Sequence, residues 1–343
     1  MSLPPQWQRM HSAHAVCPTA RRGEAQCMAL ILDETVQRAV NGWAPGDFAA
    51  RYKLPISQGA GQIVALVDAY DNPNVASDLA KYRSEFGLGT GSFTKYNQKG
   101  QTSNYPPGNH NWGLEEDLDA EMVTASCPNC TIYLVEANSA YTSDLEVAED
   151  EAVALGAHIV SNSWGCSGSV NCVSKSHFDK KGVEYLASSG DGGYDVLQVP
   201  AALDSVAAIG GTVLSKSGSQ YSESVWSGAG GGCATEIPKP KWQHDSFCSG
   251  RAIADASAVA WNVAMYDSYG YGGWITIGGT SVASPLLAGV FGLAGNAAKQ
   301  DGGRTFWQTK HLKSLYDVCG SSCLTSQYSF GGGWGSPNGI GAF

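Results

Sequence analysis

Apolar residues in this chain fall into short unbroken runs, with longer mixed segments between them. Ile63-Val64-Ala65-Leu66-Val67, Ile159-Val160 and Ala207-Ala208-Ile209 do not alternate with polar residues. Such runs suit strands covered on both faces, as in a parallel sheet flanked by helices. The pattern predicts strands near 63–68, 131–136, 158–163, 183–188 and 205–210, and helices near 74–86, 115–126, 143–155 and 281–297. Strands alternating with helices imply an α/β fold with a mostly parallel central sheet. At 343 residues with 43% hydrophobic content, the chain can build one large core. We read a single domain over 44–343, preceded by an N-terminal extension over 1–43 that would be the remnant of a pro-region.

The last predicted helix carries the first chemical signal. Gly279-Thr280-Ser281-Val282-Ala283-Ser284-Pro285 joins the strand-like Gly273-Trp274-Ile275-Thr276-Ile277 to the apolar, small-residue segment Leu286 to Ala297. A serine at such a junction sits where free backbone N–H groups can stabilise developing negative charge. It is placed as a nucleophile. A plain N-cap serine is the competing reading.

A serine hydroxyl needs a base to take its proton. Seven histidines are present, and none lies in a His-Gly-x-His pattern. His158 starts a strand-like run and His110 lies in a polar loop, Pro107-Gly108-Asn109-His110-Asn111. The base is therefore sought among carboxylates. In Glu115-Glu116-Asp117-Leu118-Asp119, Glu115 and Asp119 are one helical turn apart and share a face. On an exposed helix they would repel each other. Buried, they would share protons and titrate as a coupled pair, able to accept a proton in acid. Glu116 and Asp117 fall on other faces and are expected in solvent. Farther along, Ala187-Ser188-Ser189-Gly190-Asp191-Gly192-Gly193 follows a strand-like run. By itself it reads as an Asp-Gly turn after a strand.

Taken in order, Glu-x-x-Leu-Asp, Ser-Gly-Asp-x-Gly and Gly-Thr-Ser-x-Ala-Ser-Pro resemble the motifs of the sedolisin (serine-carboxyl) peptidases, whose fold is subtilisin-like. The resemblance runs from about Ala44 to Phe343. It implies Ser281 as nucleophile, Glu115 as general base, Asp119 as its orienting partner, and Asp191 with the Ser281 amide as oxyanion hole. It implies that Asp68 supports the Glu115–Asp119 pair. Ser161-Asn162-Ser163-Trp164-Gly165 resembles the strand whose main chain pairs with extended substrate, and Ser189 and Gly190 would lie beside it. Trp164 reads equally as a specificity-pocket wall or a core tryptophan.

Two features depart from that family. Family members typically carry a signal peptide and a long propeptide. Met1 to Val40 has no apolar signal-type stretch and is shorter than such a propeptide. The family calcium site is matched at Asp317-Val318, but Gly335 stands where a second aspartate is expected and no acidic residue follows Asp317. Calcium favours several oxygens, usually with more than one carboxylate. The site is incomplete, and the chemistry itself needs no cofactor.

Composition narrows the remaining choices. The net charge of −10, without a basic cluster, argues against nucleic acid. No run is long and apolar enough for a membrane span. Only 15% of residues are charged, which suits low pH. Ten cysteines fall into close pairs, Cys17/Cys27, Cys127/Cys130, Cys166/Cys172, Cys233/Cys248 and Cys319/Cys323. Local pairs of this kind suggest disulfides and a secreted or extracytoplasmic protein, although Cys127-Pro128-Asn129-Cys130 could also be a redox pair or half a zinc site. The expectation is a monomeric acid peptidase acting on protein or peptide substrates. The alternatives are a neutral, histidine-based subtilisin-like protease and a catalytically silent peptide-binding protein on the same scaffold.

Overall fold

The computed structural model describes residues 13–37, 40–89, 91–167 and 169–343. Its centre is an eight-stranded sheet. The strands run in the order Gln220–Val225, Val206–Ser217, Glu184–Ser188, Ile159–Asn162, Ile63–Ala69, Thr131–Ala137 and Phe93–Asn97, with Ala256–Val259 also paired to Val206–Ser217. All neighbours are parallel except the hairpin of Val206–Ser217 with Gln220–Val225. The unbroken apolar runs account for this, since Val64, Leu66, Ile132, Leu134, Val160 and Ala208 are all fully buried.

Among the described residues, five α-helices flank the sheet: α1 (Pro45–Tyr52), α2 (Val75–Phe86), α3 (His110–Ser126), α4 (Thr142–Ala154) and α5 (Thr280–Ala294). Helix α3 begins earlier than the predicted 115, because the Asn109 side chain caps it by accepting from the Asn111 and Trp112 N–H groups. Helix α5 ends before the predicted Ala297. Gly295 terminates it in the left-handed region, φ 66°, which glycine adopts without strain. Helices α3 and α5 lie unusually close. A Cβ on Gly289 would fall 2.0 Å from Ser126 Oγ, so a larger residue there would force them apart. That approach brings the α5 N-terminus to the side of α3.

All five expected cysteine pairs are disulfides. Cys127–Cys130 is thus neither a zinc ligand pair nor a free dithiol. No helix among the described residues is long and apolar enough to cross a membrane. Within the 1–43 extension, residues 1–12 and 38–39 lie outside the described residues. The rest is ordered into the body of the protein. Leu30–Gln37 pairs antiparallel with Gly273–Gly278, which in turn pairs with Val263–Asp267.

Candidate active site

Helix α3 is buried on every side, so its carboxylates are not solvated. Glu115, Glu116, Asp119 and Glu121 are fully buried and Asp117 nearly so. The expectation of solvent around Glu116 and Asp117 is corrected here. Neighbouring elements enclose the helix from Trp112 onward, and Asn72 serves one oxygen of each group, its N–H donating to Glu116 at 3.0 Å and its side chain to Asp117 at 2.8 Å.

Glu115 and Asp119 face Asp68, at the C-terminal end of the strand Ile63–Ala69. Burial raises the pKa of all three, and their mutual repulsion adds to this for Glu115 and Asp119. Asp68 is pushed up to about 8. Asp119 accepts from the Ser163 hydroxyl at 2.6 Å. Neither oxygen of Asp68 or of Glu115 has a partner in hydrogen-bonding geometry among the described residues. The Ser281 hydroxyl and the Ala29 N–H lie against Glu115 and pull its pKa down. The cluster can therefore hold protons or give them up to a group presented at Ser281.

Ser281 is the second residue of α5 and is fully buried. Its hydroxyl donates to the Ser163 carbonyl at 3.2 Å. No histidine shares this site among the described residues. His110 packs its ring on Tyr269, and His158 bonds the Gly182 carbonyl at a strand end. Asp191 is anchored from α5, accepting the Thr280 N–H at 2.8 Å and the Thr280 hydroxyl at 3.0 Å on one oxygen. Its other oxygen has no partner among the described residues. Burial raises Asp191 to about 7, against the opposing pull of Thr280. A neutral Asp191 can thus present a proton beside the Ser281 N–H. Ser189 and Gly190 support this loop, with the Gly190 N–H donating to Thr280 Oγ1 at 3.1 Å.

The expected substrate strand divides into two parts. Ser161 and Asn162 point into the core, where Ser161 bonds Ser284 at 2.9 Å and Asn162 bonds the Leu186 carbonyl. Trp164 is fully buried, donates to the Val67 carbonyl at 2.9 Å and packs on Phe178. It is a core residue, so its side chain is no pocket wall. The Trp164 and Gly165 main chain does carry a strand, antiparallel to Gln26–Cys27 of the chain itself.

The sequence reading missed this occupant of the cleft. The Met28 N–H donates to the Ser163 carbonyl at 3.0 Å, and the Met28 carbonyl accepts the Ser281 N–H at 3.3 Å. A Cβ on Gly279 would lie 2.1 Å from the Met28 oxygen and 2.8 Å from Asp191 Oδ2, so both oxygens crowd one point. Gly279, at φ 110°, leaves room for that approach. The Met28 side chain reaches Gly165, where an added Cβ would meet Met28 Cε at 3.1 Å and Gln198 at 2.8 Å. The available signal was the apolar run Cys27-Met28-Ala29-Leu30-Ile31-Leu32, which is out of place in a polar extension. Thr280 and Gln198 were missed as well.

The groups of the incomplete calcium site at Asp317-Val318 make contacts within the chain. The Asp317 carboxylate caps its own turn, accepting the Cys319 N–H at 2.9 Å. The Val318 carbonyl accepts the Val225 N–H at 3.2 Å, and Cys319 and Cys323 are joined to each other.

Comparison with known proteins bears on the family and the fold. The subtilase family model matches residues 100–317. Kumamolisin of Bacillus sp. (strain MN-32) is 30% identical over 291 residues, which are 73% of this chain and 51% of that protein. Sedolisin of Pseudomonas sp. (strain 101) is 25% identical over 332 residues, 83% of this chain and 54% of that protein. The chain thus spans about half the length of the curated relatives it matches. In fold it is similar to Pseudomonas sedolisin (serine-carboxyl proteinase) solved with pseudo-iodotyrostatin, with a TM-score of 0.74 at 22% identity, covering 88% of this chain and 96% of that one. It is also similar to the S41 psychrophilic protease, with a TM-score of 0.60 at 18% identity, covering 88% and 99%.

Proposed function

Because the chain belongs to the subtilase family, and within it is of the sedolisin kind, we propose that it is a serine-carboxyl peptidase hydrolysing peptide bonds of proteins in acid. The observation that carries this reading is the Ser281 hydroxyl set against a buried Glu115–Asp119–Asp68 cluster, with no histidine beside it among the described residues.

Ser281 Oγ adds to the substrate carbonyl and Glu115 takes its proton. The negative oxygen is held by the Ser281 N–H and by protonated Asp191. Glu115 then protonates the leaving amine, and water resolves the acyl-enzyme by the reverse proton route. Asp119, fixed by Ser163, and Asp68 share the charge left on the cluster. The Trp164–Gly165 main chain aligns the substrate as an added strand. No calcium enters this scheme. The five disulfides are consistent with an extracellular location, and we place the protein there as a monomer acting on protein chains.

The test is hydrolysis of an unfolded protein across roughly pH 2 to 8, wide enough to separate a carboxylate base from a histidine one. Activity confined to acid and abolished in Ser281→Ala is expected. Maximal activity at neutral pH or above would reject the carboxylate base.

A further inference from the structure

We propose that Met28–Ala29 is the protein's own scissile bond, and that the Cys17–Cys27 ring with its flanking strand clamps both sides of that bond and makes the segment a slowly cleaved internal inhibitor. The inference rests on the peptidase reading above and adds the bond, its register and the clamp.

The register follows from main-chain contacts. On the N-terminal side of the bond, Cys27 faces Trp164 and Gln26 faces Gly165 in an antiparallel pair. The Met28 N–H bonds the Ser163 carbonyl, and the Met28 carbonyl sits on the Ser281 N–H beside Asp191. On the C-terminal side, Leu30 and Ile31 face Gly278 and Ile277. The Ala29 N–H lies against Glu115, which is where a leaving nitrogen must collect its proton. Among the described residues, only the Met28 carbonyl has the nucleophile's amide on its oxygen and the cluster next to its leaving nitrogen. Met28 and Ala29 are both buried, so water has little access to this point.

The clamp spans the same bond. Cys17 is joined to Cys27, one residue before Met28. From Cys17 the chain turns back along the other side. The Val16 N–H donates to the Ala29 carbonyl at 3.0 Å, Ala15 faces Leu30 and His14 faces Ile31. The ring is also fastened to the body, with the Ala25 N–H on the Ala140 carbonyl at 2.8 Å and the Gly23 carbonyl accepting the Thr142 N–H at 2.9 Å.

The chemistry balances without a co-reactant other than water. Ser281 Oγ bonds the Met28 carbonyl carbon, and its proton passes through Glu115 to the Ala29 nitrogen as the C–N bond breaks. Met28 is left as an ester on Ser281. Water hydrolyses the ester, leaving a Met28 carboxylate and an Ala29 amine. While the 14–16 strand holds Ala29 in place, the amine competes with water for the ester and re-forms the peptide bond. Net cleavage is slow, and the severed segment continues to fill the cleft.

The experiment follows the N-terminus of the full chain by intact mass and end-group sequencing at acid pH. It compares the wild type with Ser281→Ala, Cys17→Ser/Cys27→Ser and Val16→Pro, and hydrolysis of an added unfolded protein is read in parallel. Val16→Pro removes the clamp's bond to Ala29 and leaves the disulfide in place, so it remains informative if the cysteine variant does not fold. The expected result is a slow new end at Ala29 in the wild type and none in Ser281→Ala. Val16→Pro should lose the 1–28 fragment roughly two- to tenfold faster, the factor one backbone hydrogen bond supplies, with a matching earlier onset of activity. Cleavage of added protein by a chain whose Met28–Ala29 bond stays intact, or is cut elsewhere, overturns the inference and leaves the peptidase reading standing. Fragment loss at the wild-type rate in both clamp variants overturns the clamp. No cleavage of either kind at any pH removes the peptidase reading and the inference together.

Discussion

Helix α3 carries two sets of buried carboxyls that differ in one respect. Asp117 and Glu121 join Asp78 and Asp267 in a set where each group has a donor. Asn72 serves Asp117, the Tyr266 N–H serves Glu121 at 3.1 Å, Ser268 serves Asp78 at 2.8 and 2.7 Å, and the Gly270 and Tyr271 N–H groups serve Asp267. In the other set, among the described residues, Glu115 and Asp68 have no partner in hydrogen-bonding geometry and Asp119 has only Ser163. Burying a polar group without a partner costs about 1–3 kcal/mol. The first set is a way of building a polar interior that holds one arrangement. The second leaves acceptor capacity open beside Ser281, which is what a group that must take and return a proton requires.

The largest effect should come from isosteric neutralisation in each set. Glu115→Gln keeps shape and removes the proton acceptor, so kcat on a short peptide should fall about 10²- to 10⁴-fold, the usual worth of a positioned base. Asp117→Asn should leave kcat near the wild type, since Asp117 is held by Asn72 and Asp78, away from Ser281. Single-turnover kinetics on both variants checks the contrast, and equal losses would break it.

A smaller effect separates Asp191 from both sets. With its pKa raised to about 7 by burial, it is protonated in acid and ionises as neutrality is approached. An ionised Asp191 cannot donate to an oxyanion. The alkaline fall of kcat should therefore be centred near pH 7 and should vanish in Asp191→Asn, which donates at every pH. The peak rate of that variant should drop by no more than about 10²- to 10³-fold, the loss when a whole oxyanion donor is removed. A limb that persists in Asp191→Asn would assign it to another group.

Much of this arrangement was legible in the sequence because it depends on local pattern. The unbroken run at 63–67 fixed a buried strand with Asp68 at its end, and the spacing of Glu115 and Asp119 placed both on one face. Burial of Glu116 and Asp117 was not legible, since a 3.6-residue period separates faces only when one of them meets solvent, and α3 has no such face. The turn of the Trp164 side chain into the core depends on the Val67 carbonyl, distant in sequence. The threading of Met28 through the cleft is a long-range strand pairing, which periodicity within one segment cannot report.

The smallest expected effect is thermodynamic, and it ranks the two sets directly. A buried carboxyl whose folded pKa lies above its unfolded value binds more protons in the native state. Its contribution is complete below the unfolded pKa, near 4, and is lost as pH rises through the folded value. Asp68, raised to about 8, and Glu136, raised to about 9, place that loss between about pH 4 and 9. In the Ser281→Ala background, where self-digestion cannot intrude, Tm should fall by about 5 °C or more between pH 4.5 and 8.5. Asp68→Asn should flatten this slope, because burial raises Asp68 with no hydrogen bond among the described residues to oppose it, and an amide does not ionise. Asp267→Asn should flatten it less, because the Gly270 and Tyr271 N–H groups already favour the ionised form and oppose the rise. A reversed order would mean that the hydrogen-bonded set, rather than the open one beside Ser281, governs the loss of stability toward neutral pH.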